Sequence, residues 1–125
     1  MFIVMNPSDG TFHDKKVITG VKFDEHRIAL DPEMVRAEKV YNFKIGNAAA
    51  VAFYDDNLDI VRVYRTMSDR HGEFNYDGVR ITDSNGTVWE VTGISENGET
   101  LDHITHFDVM WFAWYAYYPD TEVLQ

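Results

Sequence analysis

Histidines and carboxylates cluster near the C-terminal end of the chain, in the stretch DHITHFD at residues 102–108. Imidazole and carboxylate groups are common ligands of zinc and other divalent ions. His103, His106 and Asp108 are therefore candidate metal ligands. Two histidines three positions apart converge only if both are helical, and a helix capped by Thr105 would leave His103 outside. We therefore favour the alternative that these histidines lie at the surface or beside a helix cap.

Aromatic side chains form the second candidate site. Seven aromatic rings fall within HFDVMWFAWYAYYPDT, residues 106–121. Indole and phenol groups combine a broad contact face with one polar group, which suits an apolar or sugar-like ligand. We predict a site where the C-terminal aromatic segment meets residues 83–93, with the candidate binding residues Trp89, Trp111, Trp114, Tyr115, Tyr118 and Asp83. The competing interpretation is that the rings fill the core, which is the commoner role of two tryptophans on one helix face.

The sequence spacing of the acidic residues does not single out any pair of carboxylates as catalytic. Asp83, Glu90, Asp102 and Asp120 could each take part in acid–base chemistry. Asp83 and Asp120 stand beside turn signals, however, where aspartate commonly accepts hydrogen bonds from backbone amides. The sequence contains no G-x-S-x-G, P-loop, dinucleotide-binding glycine pattern or H-E-x-x-H, so the enzymes that carry those motifs have no support.

Composition narrows the classes of partner. Among 125 residues, 21 are Asp or Glu and 11 are Lys or Arg, giving a formal charge of -10. The longest basic run is Lys15-Lys16, which argues against binding to a nucleic-acid backbone. The absence of cysteine excludes disulfides, cysteine-ligated metals and thiol nucleophiles. No segment resembles a signal peptide or a membrane span, so we expect a soluble chain without a membrane partner, in an undetermined compartment.

The predicted elements are mostly strands. Residues 16–30 read as a hairpin, and Asp31-Pro32-Glu33 predicts a short helix over about 32–38. Alternating apolar residues predict further strands between residues 41 and 65, separated by the Gly46-Asn47 turn. Turn signals at Asp77-Gly78 and at residues 83–86 then indicate a meander of short antiparallel strands.

A C-terminal helix is predicted over about residues 106–117. Thr105 and Asp108 match a capping box, and Pro119 disfavours helix at the preceding residue. One face would carry Val109, Phe112, Ala113 and Ala116, and the other Trp111, Trp114, Tyr115 and Tyr118. A helix that is apolar on nearly all sides is expected to be buried.

Three segments carry a family resemblance: DSNGTVWEVTG at residues 83–93, HFDVMWFAW at 106–114 and YPDTEV at 118–123. Together they resemble the C-terminal part of domain-of-unknown-function family 3179, found in bacteria and archaea. Upstream segments resemble it more loosely, so that the similarity covers most of residues 15–123. This chain lacks the cysteine segment common in the family and has Thr87-Val88 where Ser-Thr is usual. The resemblance implies a related fold but no reaction, because the family has no assigned activity.

The sequence thus predicts one domain over residues 1–125, with an ordered core over about 15–123. The fold is mainly β (α+β), as a small antiparallel barrel or tight sandwich carrying the two helices. Our first functional hypothesis is a noncatalytic module, without cofactor, that binds a small molecule or a protein partner through aromatic residues. The second is a small cofactor-free or metal-assisted enzyme that uses His103, His106 and an acidic neighbour in an aromatic cavity. Whether the protein is an enzyme stays open at this point.

Overall fold

The computed structural model describes residues 12–124, apart from the side chain of Ser68. The interpretation of residues 1–10 as lacking a signal peptide lies outside these residues. The described chain forms two compact units. The terminal unit contains the described residues up to Pro32 and those from Thr105 onward, and the central unit contains residues 33–104. The prediction of a single domain over residues 1–125 stays a prediction.

The terminal unit is built on one four-stranded sheet. Its elements are β1 (Val17–Phe23), β2 (His26–Leu30), β10 (His106–Met110), α3 (Trp111–Tyr117) and β11 (Glu122–Leu124). The strand order is β10-β1-β2-β11, in which β10, β1 and β2 are antiparallel neighbours and β11 runs parallel to β2. The predicted hairpin is confirmed as β1 and β2.

The core of the terminal unit is centred on two tryptophans. Trp111 and Trp114 are buried together with Phe12, Ile18 and Ala29. The ring of Trp111 meets that of Phe12 edge to face, with centroids 5.4 Å apart. Sheet and helix therefore share one aromatic core, which stabilises both.

The C-terminal helix is confirmed, but its predicted start near residue 106 is wrong, because residues 106–110 form strand β10. Asp108 does not cap a helix; its carboxylate accepts a hydrogen bond from the Thr19 hydroxyl on β1, 3.1 Å away. The first helical amides are satisfied by backbone instead: Trp111 donates to the carbonyl of Lys16 and Phe112 to that of Asp14. Pairing with β1 thus replaces the predicted cap. No helix among residues 12–124 is long and apolar enough to cross a membrane.

The central unit contains two sheets and two short helices. The larger sheet has the order β3-β4-β5-β9 and the smaller one β6-β7-β8, and all these pairs are antiparallel. Its elements are α1 (Pro32–Glu38, which begins at the boundary), β3 (Val40–Ile45), β4 (Ala48–Asp55), β5 (Ile60–Thr66), α2 (Ser68–His71), β6 (Asn75–Tyr76), β7 (Ile81–Thr82), β8 (Val88–Trp89) and β9 (Asp102–His103). The predicted helix at 32–38 and the meander are confirmed.

The two sheets of the central unit share a hydrophobic core. Phe53 and Tyr64 of the larger sheet pack in one cluster with Ile81 and Trp89 of the smaller sheet, together with Phe74. This arrangement is sandwich-like. No sheet among residues 12–124 closes into a barrel. In each of the three described sheets the two outermost strands are not paired with each other, so every sheet keeps two open edges.

Candidate ligand-binding site

The end of helix α3 and the turn that follows it form one wall of a cavity in the terminal unit. The helix stops at Tyr117, and the Tyr118 amide donates to the carbonyl of Trp114 at 2.8 Å. Pro119 cannot donate a helical hydrogen bond, so the chain turns and the Thr121 amide donates to the Tyr118 carbonyl. The resulting cavity of about 280 Å³, here called the tyrosine pocket, is lined by Glu25, Arg27, Tyr117, Tyr118, Pro119, Asp120 and Thr121.

Tyr118 lies against two cations supplied by the hairpin. The Arg27 guanidinium is 5.0 Å from the centre of its ring, and the Lys22 ammonium is 5.7 Å from it. Lys22 and Arg27 are direct partners across β1 and β2, so the strand register brings both charges to the same ring. Hydrogen bonding from Lys22, and then from Arg27, lowers the pKa of Tyr118 below its ordinary value of 10.0.

Arg27 is held in place by the backbone of its own turn. Its Nη1 donates to the carbonyls of Asp24 and His26, at 2.9 and 2.8 Å. Its Nε is buried and has no hydrogen-bond partner among the described residues. The guanidinium lies over the Tyr118 ring, whose π face attracts the cation. The pocket therefore contains an oriented cation beside an aromatic wall.

A model of the family described as "protein of unknown function (DUF3179)" matches residues 1–121. The chain belongs to the DUF3179 family. This confirms the resemblance drawn from the three C-terminal segments. No curated protein and no solved structure matches the chain. The family carries no stated activity, so the residues themselves must indicate what this DUF3179 protein does.

The two tryptophans of the aromatic helix fill the core of the terminal unit. Trp111 is 2% exposed and Trp114 is 1% exposed. A Cβ atom placed on Gly20 would lie only 2.4 Å from Cζ3 of Trp114, which shows how closely this indole approaches β1. The Trp114 Nε1 donates to the Thr121 hydroxyl at 2.9 Å, so its polar group is satisfied.

Other rings on this helix reach solvent, contrary to the expectation that both helix faces are buried. Phe112 is 52% exposed and Tyr117 is 81% exposed. Tyr115 is partly buried, and its ring lies 5.1 Å from that of Trp111. Among the predicted binding residues of the aromatic segment, Tyr118, which directly follows the helix, is the one that lines the tyrosine pocket. Ligand binding by the predicted set as a whole stays a prediction.

Trp89 and Asp83 occupy the central unit. Trp89 is 3% exposed and packs in that unit's core. Asp83 is buried, and its Oδ2 accepts a hydrogen bond from Nε1 of Trp89 at 3.0 Å. Its Oδ1 accepts from the amides of Asn85 and Thr87. Asp83 thus stabilises a turn, which is the competing interpretation of this residue in the sequence analysis.

The candidate metal ligands have contacts of other kinds. His103 pairs with Tyr64 between β9 and β5, and their rings meet edge to face. His106 pairs with Val21 on β1, and Asp108 accepts the hydrogen bond from Thr19. Within residues 12–124, no group of three or more His, Asp or Glu side chains could hold a metal ion. The metal-assisted alternative therefore gains no support from the described residues.

Sequence reasoning missed Glu25 and Arg27, which line the tyrosine pocket, and Lys22, which lies against Tyr118. All three belong to the correctly predicted hairpin but carry no motif. Their positions around the two-residue turn were the available signal, because a hairpin centred on Asp24-Glu25 makes residues 22 and 27 neighbours. What could not be predicted was that Tyr118, more than 90 positions away, lies over both of them.

Proposed function

We propose that this DUF3179 protein is a noncatalytic binding module whose tyrosine pocket takes a sugar-like, polyhydroxylated ligand. The observation that carries the proposal is the combination of two tyrosines with charged groups of both signs around a cavity of about 280 Å³. Small-molecule sites typically pair apolar walls with a few convergent polar groups. This volume lies just below the usual range of about 300–1,000 Å³ for drug-sized ligands, which suits a ligand as small as a monosaccharide.

The polar lining favours hydroxyl groups over a simple ion. Arg27 can only donate hydrogen bonds, whereas the carboxylate oxygens of Glu25 and Asp120 can only accept them. An anion would be repelled by the two carboxylates, and a cation by the guanidinium. A hydroxyl group both donates and accepts, so a polyol can satisfy both kinds of group at once.

The aromatic lining supplies the apolar contact. Tyr117 is 81% exposed, which leaves its ring face open to a ligand. The Tyr118 ring, 6.4 Å away between centroids, is held by Arg27 and Lys22. A fixed ring and an accessible ring together offer a C–H-rich sugar face a contact surface at little cost in conformational entropy.

Saturation-transfer NMR and calorimetry with glucose, galactose, mannose, N-acetylglucosamine and their disaccharides test the proposal. For any saccharide that binds the original chain, the Tyr117→Ala substitution should raise the Kd at least about tenfold, which is equivalent to about 1.4 kcal/mol of binding free energy. Phe112→Ala is the matched control, because Phe112 is an exposed ring on the same helix that does not line the pocket. Absence of saccharide binding at millimolar concentrations, or equal losses in the two variants, would contradict the proposal.

Two other hypotheses drawn from the sequence, binding of a protein partner and catalysis, stay predictions. Binding of a protein partner stays a prediction, since no described contact specifies such a partner. Catalysis by His103, His106 and an acidic neighbour also stays a prediction.

A further inference from the structure

A second cavity, of about 140 Å³, lies in the central unit, where the end of β5 and helix α2 meet the segment leading into β9. It shares no lining residue with the tyrosine pocket. Its polar lining consists of two arginines, two carboxylates, two threonines and a histidine: Arg65, Arg70, Glu99, Asp102, Thr66, Thr100 and His71. We call it the arginine cavity.

His71 is a buried, fully engaged side chain at the wall of this cavity. It is 4% exposed, and its ring meets that of Trp89 edge to face at 5.3 Å. The backbone amide of Met67 donates to Nδ1 at 3.2 Å. The ring proton therefore resides on Nε2, which donates to Glu99 Oε2 at 3.0 Å. With both nitrogens engaged, His71 acts as a support for the Glu99 carboxylate.

Glu99 is oriented from two sides. Its Oε2 contacts the Arg70 Nη2 at 3.0 Å in addition to His71. Both contacts fall on one oxygen, so Oε1 is the oxygen available to a ligand donor. The Glu99 side chain is 26% exposed, which leaves it accessible from the cavity. Because these contacts fix its orientation, the Glu99 carboxylate is a preorganised hydrogen-bond acceptor.

The opposite charges recur on the neighbouring strands. Arg65 on β5 and Asp102 on β9 are direct register partners, and both are exposed and line the cavity. Thr66, which is 5% exposed, adds a hydroxyl group to the same wall. The arginine cavity is therefore lined by two guanidinium groups and two carboxylates, whose formal charges sum to zero.

We propose that the arginine cavity binds a small zwitterion carrying a carboxylate and an ammonium group, namely a free α-amino acid with a small side chain. A simple anion would face Glu99 and Asp102, and a simple cation would face Arg65 and Arg70. A zwitterion places each of its charges against an opposite one. The volume is well below the roughly 300–1,000 Å³ of sites for drug-sized ligands, which limits the ligand to a few non-hydrogen atoms, as in glycine, alanine or serine.

The direct test compares alanine with propionate and ethylamine, which carry only its carboxylate or only its ammonium group. Calorimetry on the intact chain should detect binding of alanine, glycine or serine, whereas propionate and ethylamine, which each keep one charged group, should bind at least tenfold more weakly. Arg65→Gln and Asp102→Asn should each weaken amino-acid binding at least tenfold. Both side chains are exposed, so folding should be retained, which circular dichroism checks. Arg80→Gln, at an exposed arginine outside the cavity, should leave binding unchanged.

Three results would overturn the proposal: no amino acid bound at millimolar concentration, propionate or ethylamine bound as well as alanine, or equal affinities in the Arg65→Gln and Arg80→Gln variants. Because no residue is shared with the tyrosine pocket, failure here leaves the saccharide proposal standing, and the reverse also holds.

Discussion

Replacing Gly20 by alanine is expected to destabilise the protein, although alanine is normally tolerated in a strand. The new Cβ would lie 2.4, 2.6 and 2.8 Å from three carbons of the Trp114 ring. Carbon atoms pack best at about 3.5–4.0 Å, so the ring would have to move by about 1 Å. Trp114 is 1% exposed and closely packed, and this movement would disturb the whole aromatic core of the terminal unit.

The size of the effect follows from two opposing contributions. Overpacking a core by one methyl group typically costs about 1–3 kcal/mol. Replacing glycine by alanine also lowers the conformational entropy of the unfolded chain, and this stabilising effect offsets about 0.4–1 kcal/mol of the steric cost. The expected net loss in the free energy of unfolding is about 1–2 kcal/mol, or roughly 4 °C in Tm per kcal/mol for a chain of this size. Urea denaturation followed by tryptophan fluorescence measures it.

A double-mutant cycle separates the steric explanation from a general effect on the strand. In a Trp114→Leu background, the ring atoms that would meet the new methyl group are gone. Gly20→Ala should then cost less than about 0.5 kcal/mol or become stabilising, with a coupling energy of about 1–2 kcal/mol. The steric explanation would be refuted if Gly20→Ala lowered the free energy of unfolding equally in both backgrounds. It would also be refuted if the Gly20→Ala variant were as stable as the original chain.

Three further predictions concern ionisable groups. Lys22→Met should raise the lowered pKa of Tyr118 toward 10.0, measured by absorbance at 295 nm with Tyr118→Phe as the reference; an unchanged pKa would remove the argument for the pairing. Burial raises the pKa of Asp55, but hydrogen bonds from Arg62 and two backbone amides outweigh it and lower the pKa below 3.8. The stabilisation by Asp55 is thus complete above pH 3.8 and is lost as the pH falls through the lowered pKa. The Asp55→Asn substitution should therefore lower the free energy of unfolding by about 1–3 kcal/mol at pH 7, and by progressively less as the solution is acidified. Asp83→Ala should cost about 1–3 kcal/mol in urea denaturation, because a buried indole N–H and two turn amides lose their acceptor; a loss below 0.5 kcal/mol would contradict the structural role.

Local patterns were enough to predict most of the elements. The hairpin around Asp24, the helix that starts at Pro32 and the turn at Asp77 follow from alternation and turn chemistry, which act over a few residues. Strand β10 could not be recognised in this way. Its partner β1 is about 90 positions away, and the sequence at Thr105 fits a helix cap equally well, so tertiary pairing overrode the local signal.

The candidate sites were predictable only in part. Sequence pointed to the aromatic segment as the place to search, and Tyr118 does line a cavity there. It could not decide whether Trp114 lines a void or fills the core, because that depends on the close approach of Gly20 from another strand. His71 stands in a polar stretch without a motif, so local patterns do not single it out. Its burial and its bond to Glu99 arise from contacts 28 positions apart.

The most direct test of the central claim is a ¹⁵N–¹H correlation spectrum of the intact, assigned chain recorded during titration with the best-binding saccharide. The tyrosine-pocket account predicts that the perturbed amides concentrate at residues 24–27 and 117–121. Perturbations confined to residues 33–104, or a spectrum that does not change at saturating saccharide, would contradict it.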